Sequence, residues 1–182
     1  MKQHWVAAGL AMALAFANVP VTAHAAHAKP GSPGADAPKA SAAQIRRGRY
    51  MLTVGSCNDC HTAGFAPSDG KVAEKDWLLG SGPLGFRGPW GTTYAPNLRA
   101  SMSKMTEGEW VKYAKALKTR PPMPWFNLNQ WSAADLRAFY LYVKQLGPGD
   151  QSTPAYVPPD KEAPMPYVQW PMPPAKAQDG KK

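Results

Sequence analysis

Cysteine is nearly missing from this 182-residue chain, which has only Cys57 and Cys60. A single pair excludes a disulfide framework and a four-cysteine zinc ribbon. Histidine is almost as scarce: His4, His24, His27 and His61. Acid is short as well, with 12 Asp plus Glu against 21 Lys plus Arg and a formal charge of +9. The apolar run Trp5–Val19 stops at Pro20, short of the roughly 20 residues that cross a bilayer, and internal repeats are absent. What is there is 44% hydrophobic, with 7 Trp, 7 Tyr and 5 Phe, enough for a core. The length suits one ordinary domain and is too short for two full ones. With 20 Pro and 16 Gly, an all-helix or all-sheet protein is disfavoured.

The amino terminus reads as an export signal. Met1 to His4 carries Lys2 and no acid, an uncharged apolar stretch follows, and small-residue sites stand at Ala23-His24-Ala25 and Ala26-His27-Ala28. That pattern describes a secretory signal peptide over residues 1–28, cleaved after Ala25 or Ala28. An uncleaved anchor is the competing reading, against which Pro20 and the short run both count. The mature chain is expected to be exported, which in a Gram-negative cell means the periplasm. Cleavage after Ala28 would leave His61 as the sole histidine and a charge of +8.

Residues 29–43 (KPGSPGADAPKASAA) have no hydrophobic period and read as a flexible leader. A compact region follows over 44–147. Residues 148–182 hold nine prolines interleaved with Tyr156, Tyr167 and Trp170. Such a tail cannot form a helix or a central strand; it floats, or lies extended across the domain with its aromatics docked. Within the compact region three helices are expected. One covers about 43–54 and ends at Gly55. A second opens at Thr106 with Glu109 in capping-box spacing and carries Trp110, Tyr113, Ala114 and Leu117. The third opens at Ser132 with Asp135 in the matching place and stops at Gly147-Pro148. No pair of alternating β-runs is visible, so the fold reads as mostly α. Between Thr62 and Ala100 lie 39 residues with seven glycines and four prolines. A connection that long needs a surface to wrap, and a large apolar cofactor would supply one.

Cys57-Asn58-Asp59-Cys60-His61 is C-x-x-C-H, the attachment sequence of haem c. The spacing follows from the chemistry. One short helical turn presents both sulfurs to the two vinyl groups on one porphyrin edge, and the adjacent imidazole falls under the iron as proximal ligand. The rival readings are weaker. A thioredoxin-like C-x-x-C expects a βαβ setting, structural zinc wants four ligands, and a plain disulfide would leave the long loop unsupported.

Over 44–147 the chain resembles class I monohaem cytochromes c of exported bacterial type. The resemblance implies a cytochrome c fold, helices and long loops wrapped around one covalent haem. It also implies a crossing of first and last helices, with Gly48 beside Tyr50 or Leu52 on one and Leu136 with Tyr140 on the other. Gly82-Pro83-Leu84-Gly85 is similar to the family's Gly-Pro-x-Leu stretch, which implies Pro83 as the carbonyl that takes the proximal N–H. Some carbonyl must do so, because it fixes the ring and raises its basicity.

With no second histidine in the compact region, the sixth ligand falls to methionine. Met123 sits in Arg120-Pro121-Pro122-Met123-Pro124-Trp125-Phe126, where prolines on both sides restrict the backbone. The stretch resembles the distal methionine loop of bacterial class I cytochromes. Met102 and Met105 are the alternatives, and a methionine that only fills a core gap is the plain one. Trp77, Trp90, Trp110, Trp125 and Trp131 are packing residues expected to wall the haem crevice. Trp90, Thr92, Thr93, Tyr94 and Asn97 offer donors to the haem propionates or serve only their own turns; both readings stand.

Lys112, Lys115, Lys118 and Arg120 form one basic stretch, and Arg46, Arg47 and Arg49 another. Both can be solvated helix faces, yet the compact region holds 14 basic and 7 acidic residues. A cationic redox protein is steered onto acidic partners. The expected activity is electron transfer, cycling Fe(III)/Fe(II) between a dehydrogenase donor and an oxidase or other acceptor, with no catalysis of its own. Peripheral association with a membrane complex through the tail overlaps that reading. Nucleic acid does not fit an exported chain. The alternative is a haem enzyme or gas sensor in which Met123 is displaced; Arg120 is its only obvious acid–base group.

Overall fold

The computed structural model describes residues 40–171; the expected signal peptide, residues 29–39 of the expected leader and residues 172–182 of the tail lie outside them. Helix α1, Ala42–Val54, starts where a capping box allows it. The Gln44 amide donates to Ser41 Oγ at 3.2 Å, and the Ser41 amide donates to the Gln44 side chain at 2.8 Å. Helix α1 therefore begins at Ala42, one residue before the expected start at about 43. The short helix α2, Cys57–His61, follows at once. Farther on come α3, Leu98–Ser103, α4, Glu107–Ala116, α5, Trp125–Leu128, and α6, Ala133–Leu146. Helix α4 has the Thr106/Glu109 capping box, and Ser132 caps α6 through the Asp135 amide at 3.0 Å.

Helices α1 and α6 cross at Gly48. A Cβ there would fall on the Ala138 carbonyl and 2.7 Å from the Tyr142 Cβ, so only glycine admits the approach. The partners are thus Ala138 and Tyr142 rather than Leu136 and Tyr140. Tyr50 points outward at 55% exposure, while Leu52 is fully buried. Arg47 Nε closes the crossing by donating to Asp135 Oδ1 at 2.7 Å. Helix α4 packs on α6 through Trp110, whose ring stacks on Phe139 at 5.5 Å and whose Nε1 donates to the Leu136 carbonyl at 2.9 Å. The apolar core runs through Leu52, Met102, Ala114, Leu136, Phe139 and Val143.

A small three-stranded sheet accompanies the helices, with residues Gly85–Gly88 as its central strand. Strands β1 (Gly85–Gly88) and β2 (Gly91–Thr93) form an antiparallel hairpin, and β3 (Tyr167–Gln169) lies parallel to β1. The mostly-α reading fits loosely, with a small sheet it did not foresee, because strands of three or four residues are too short to show alternation. The described part of the tail lies extended along this sheet. Val157 pairs with Thr92 on the outer edge of β2, and β3 covers the outer edge of β1. The described chain is accordingly helix-rich with a minor sheet, six α-helices in all. Among the described residues no helix is long and apolar enough to cross a membrane.

Candidate functional site

Helix α2 hangs directly from α1. Gly55 ends α1 against the Trp131 ring, where a Cβ would sit 2.7 Å from the indole, and Ser56 turns the chain with φ +52°. Cys57 and Cys60, three residues apart on one turn, share a side of α2. Both are half-buried and unbridged. Burial pushes the Cys57 thiol up to about 12, with the Asp59 charge adding to it, and raises Cys60 for the same two reasons. No neighbouring cation lowers either thiol, so their surroundings do not activate them as nucleophiles.

His61 is 6% exposed. Its Nδ1 lies 2.8 Å from the Pro96 carbonyl oxygen. A carbonyl can only accept, so Nδ1 carries the proton and Nε2 keeps its lone pair. Burial lowers the imidazole's proton affinity, and the Pro96 hydrogen bond partly offsets that. The arrangement presents one neutral, oriented imidazole nitrogen beside two thiols. That donor set suits a haem carried by thioethers. Among the described residues, no cluster of three or more His, Cys, Asp or Glu is gathered that could hold a bare ion.

The Pro96 carbonyl replaces the Pro83 carbonyl expected from the Gly-Pro-x-Leu likeness. Pro83 is exposed on a turn in which the Leu84 amide donates to the Ser81 carbonyl at 3.3 Å. Pro96 instead stands in a segment fastened on both sides. The Ala95 amide donates to Ser81 Oγ at 3.2 Å, and the Ser81 amide donates to the Ala95 carbonyl at 3.1 Å. Asn97 caps α3 by accepting from the Ala100 amide at 2.9 Å. The α2 end is fixed by a second network. Thr62 Oγ1 donates to Asn58 Oδ1 and accepts from the Leu78 amide, both at 2.8 Å, and the Gly80 amide donates to the His61 carbonyl at 2.9 Å. Asn58, Thr62 and Asn97 are all buried. Sequence reasoning gave none of them this part; the Asn97 cap before an apolar Leu98 was the one available signal.

Met123 lies on the loop before α5, half-buried between Pro122 and Pro124. Its carbonyl accepts from the Trp125 amide at 2.9 Å, and the neighbouring Pro121 carbonyl accepts from Thr93 Oγ1 at 2.9 Å. Met123 and Cys57 pack against the same apolar cluster. Met102 is 1% exposed inside that cluster, and the Met105 carbonyl accepts from the Tyr140 hydroxyl at 2.8 Å.

The five candidate polar groups of the 90–97 segment separate cleanly. Trp90 Nε1 donates to the Phe86 carbonyl at 3.3 Å, Thr92 Oγ1 accepts from Arg87 at 3.0 Å, and Thr93 and Asn97 are engaged as above. The Tyr94 hydroxyl alone is buried without a partner. Gly85 makes room for its ring, which passes 3.1 Å from where a Cβ would stand. An orphaned phenol costs about 1–3 kcal/mol, and a bound carboxylate such as a propionate would relieve it. Of the tryptophans, Trp77 donates to the Val72 carbonyl and meets Phe65 edge-on at 5.8 Å, Trp131 meets Phe139 at 5.8 Å, and Trp90 packs on Trp170. Arg47 and Arg49 are paired with Asp135 and Glu74, while Lys112 and Lys118 of the other basic stretch stand exposed. Comparison with family models, curated proteins and solved structures returned no match.

Proposed function

We propose that the chain is an exported electron-transfer protein of the cytochrome c type, holding one covalent haem c through Cys57 and Cys60. His61 would be the proximal ligand and Met123 the distal one. The observation that carries this reading is the pairing of the C-x-x-C-H turn with an imidazole whose Nδ1–H is committed to the Pro96 carbonyl. Haem c supplies reversible one-electron Fe(III)/Fe(II) chemistry when bound. The protein's own contribution is to hold geometry and exclude water. Cys57 and Cys60 would hold the haem, and the Asn58–Thr62–Leu78 network keeps α2 from rotating. The Pro96 bond raises the electron-donating power of Nε2, and a thioether on the other face would favour Fe(II).

Electron transfer needs encounter rather than tight binding. The exposed lysines of α4 and the loop after it give a cationic face for acidic donors and acceptors, a dehydrogenase on one side and an oxidase on the other. The enzyme or gas-sensor alternative asks for a free acid–base group on the distal side. Arg120, its candidate, has its guanidinium stacked 3.8 Å from the Tyr156 ring centroid. Export to the periplasm rests on the amino-terminal pattern of the sequence.

The test is Met123→Ala, studied as oxidised and reduced protein. Its oxidised spectrum is expected to lose the long-wavelength sulfur-to-iron charge-transfer band, with a midpoint potential lower by on the order of 0.1 V. Reduced wild-type protein should be unmoved by carbon monoxide. An unchanged band would transfer the ligand role to Met102 or Met105; carbon monoxide binding would favour the enzyme or sensor.

A further inference from the structure

The tail makes contacts that covering a sheet does not require. Val157 and Thr92 exchange backbone hydrogen bonds of 3.0 and 2.7 Å, which closes the edge of β2 and accounts for that residue. Yet Thr153 Oγ1 accepts from the Asn97 amide at 3.2 Å, and the Gln151 carbonyl accepts from Asn97 Nδ2 at 3.1 Å. Asn97 follows the residue whose carbonyl orients His61. Five residues after Gln151, the Tyr156 ring lies under the Arg120 guanidinium at 3.8 Å, and its hydroxyl donates to the Trp90 carbonyl at 2.8 Å. Arg120 opens the loop that carries Met123. Gly91 is shaped for this passage: a Cβ there would come within 2.9 Å of the Tyr156 ring, and its φ of +93° is one that favours glycine.

One extended segment of seven residues therefore touches both the proximal carbonyl segment and the distal loop. We propose that 151–157 is a positioning strap that sets the distance between the two axial groups, with Tyr156 the residue that restrains the Met123 loop. This rests on the His61/Met123 haem reading. Physically, a methionine between two prolines on a loop of few hydrogen bonds can swing away from the iron unless something holds the loop's root. A guanidinium stacked on a phenol that is itself hydrogen-bonded to the hairpin is such a restraint. A sheet cover alone would need Val157 and β3 but neither Tyr156 on Arg120 nor Thr153 on Asn97.

The experiment uses the full, haem-loaded chain and imidazole as probe, because imidazole must displace the distal ligand to bind ferric iron. Tyr156→Ala is expected to bind imidazole about tenfold more tightly than wild type, roughly what losing a 1.4 kcal/mol restraint produces, with a weaker charge-transfer band. Tyr156→Phe keeps the ring over Arg120 and should restore most of the difference. Should Tyr156→Ala fail to fold, Arg120→Gln breaks the same stack from the other side and should loosen the ligand likewise. Imidazole affinity within twofold of wild type in Tyr156→Ala or Arg120→Gln, with only a lower melting temperature, would reduce the tail to a sheet cover. A wild-type protein lacking the charge-transfer band before any substitution would remove the methionine ligation on which the strap rests, and the strap with it, whether or not haem is bound.

Discussion

The two sides of this molecule are held together differently. The α1–α6–α4 side is packed side chain on side chain: Gly48 against Ala138 and Tyr142, Trp110 on Phe139, Leu52 and Leu136 fully buried. The side built from 62–100 and the tail has short strands, glycines at positive φ and long-range hydrogen bonds between backbone and small polar groups. The first has the apolar area to order itself. The second buries fewer large side chains, chiefly Trp77, Leu78, Phe86 and Tyr94, and relies more on hydrogen bonds, and the oriented His61 sits at the seam between them. The lesson is that the candidate site is oriented by polar contacts of the loop side rather than by the packing of the helices.

Breaking the packed side should have the largest effect. Gly48→Val drives a branched side chain into the Ala138 carbonyl, a backbone atom that cannot move aside. A loss of about 3 kcal/mol is expected for such overpacking, with a thermal midpoint lower by about 10 °C for a chain of this size. Calorimetry of the folded protein decides it, and a midpoint unchanged from wild type would remove Gly48 from the crossing.

The hydrogen-bonded side should answer more weakly and more locally. Asn97→Ala removes the α3 cap and one tail contact, a loss of about 1 kcal/mol. Amide exchange is expected to quicken over 95–103 while the α1 and α6 amides keep their protection. Uniform quickening across both helices would mean that the two sides unfold as one unit and that the contrast drawn above is wrong.

Legibility divides along the same seam. Thr106 with Glu109 and Ser132 with Asp135 announce α4 and α6 within four residues each, because a cap is a local bond. The Cys57–His61 turn is equally local, and the sequence spacing alone places both thiols together. Ser41 with Gln44 is a capping box of the same kind, yet the composition of the leader drew attention away from it. The partner of His61, Pro96, lies 35 residues on and is held by how Ser81 and Asn97 pin its neighbours. A signal for it was present: Pro96-Asn97-Leu98 keeps the Pro-x-Leu spacing that Pro83-Leu84-Gly85 does not, but the glycine before Pro83 made that nearer proline the apparent match. Strands of three or four residues left no period to read, and Tyr156 could be read only as an aromatic of unknown dock.

The central claim is that a porphyrin is bonded to this chain through the α2 thiols. Exported protein made alongside a haem-attachment apparatus, then unfolded and run on a denaturing gel, tests it most directly. Red colour and peroxidase staining that travel with the unfolded chain are expected, as is a mass greater by one haem, with both lost in the Cys57→Ala, Cys60→Ala double variant. A folded wild-type protein that is colourless, or whose colour leaves on denaturation, would contradict the account.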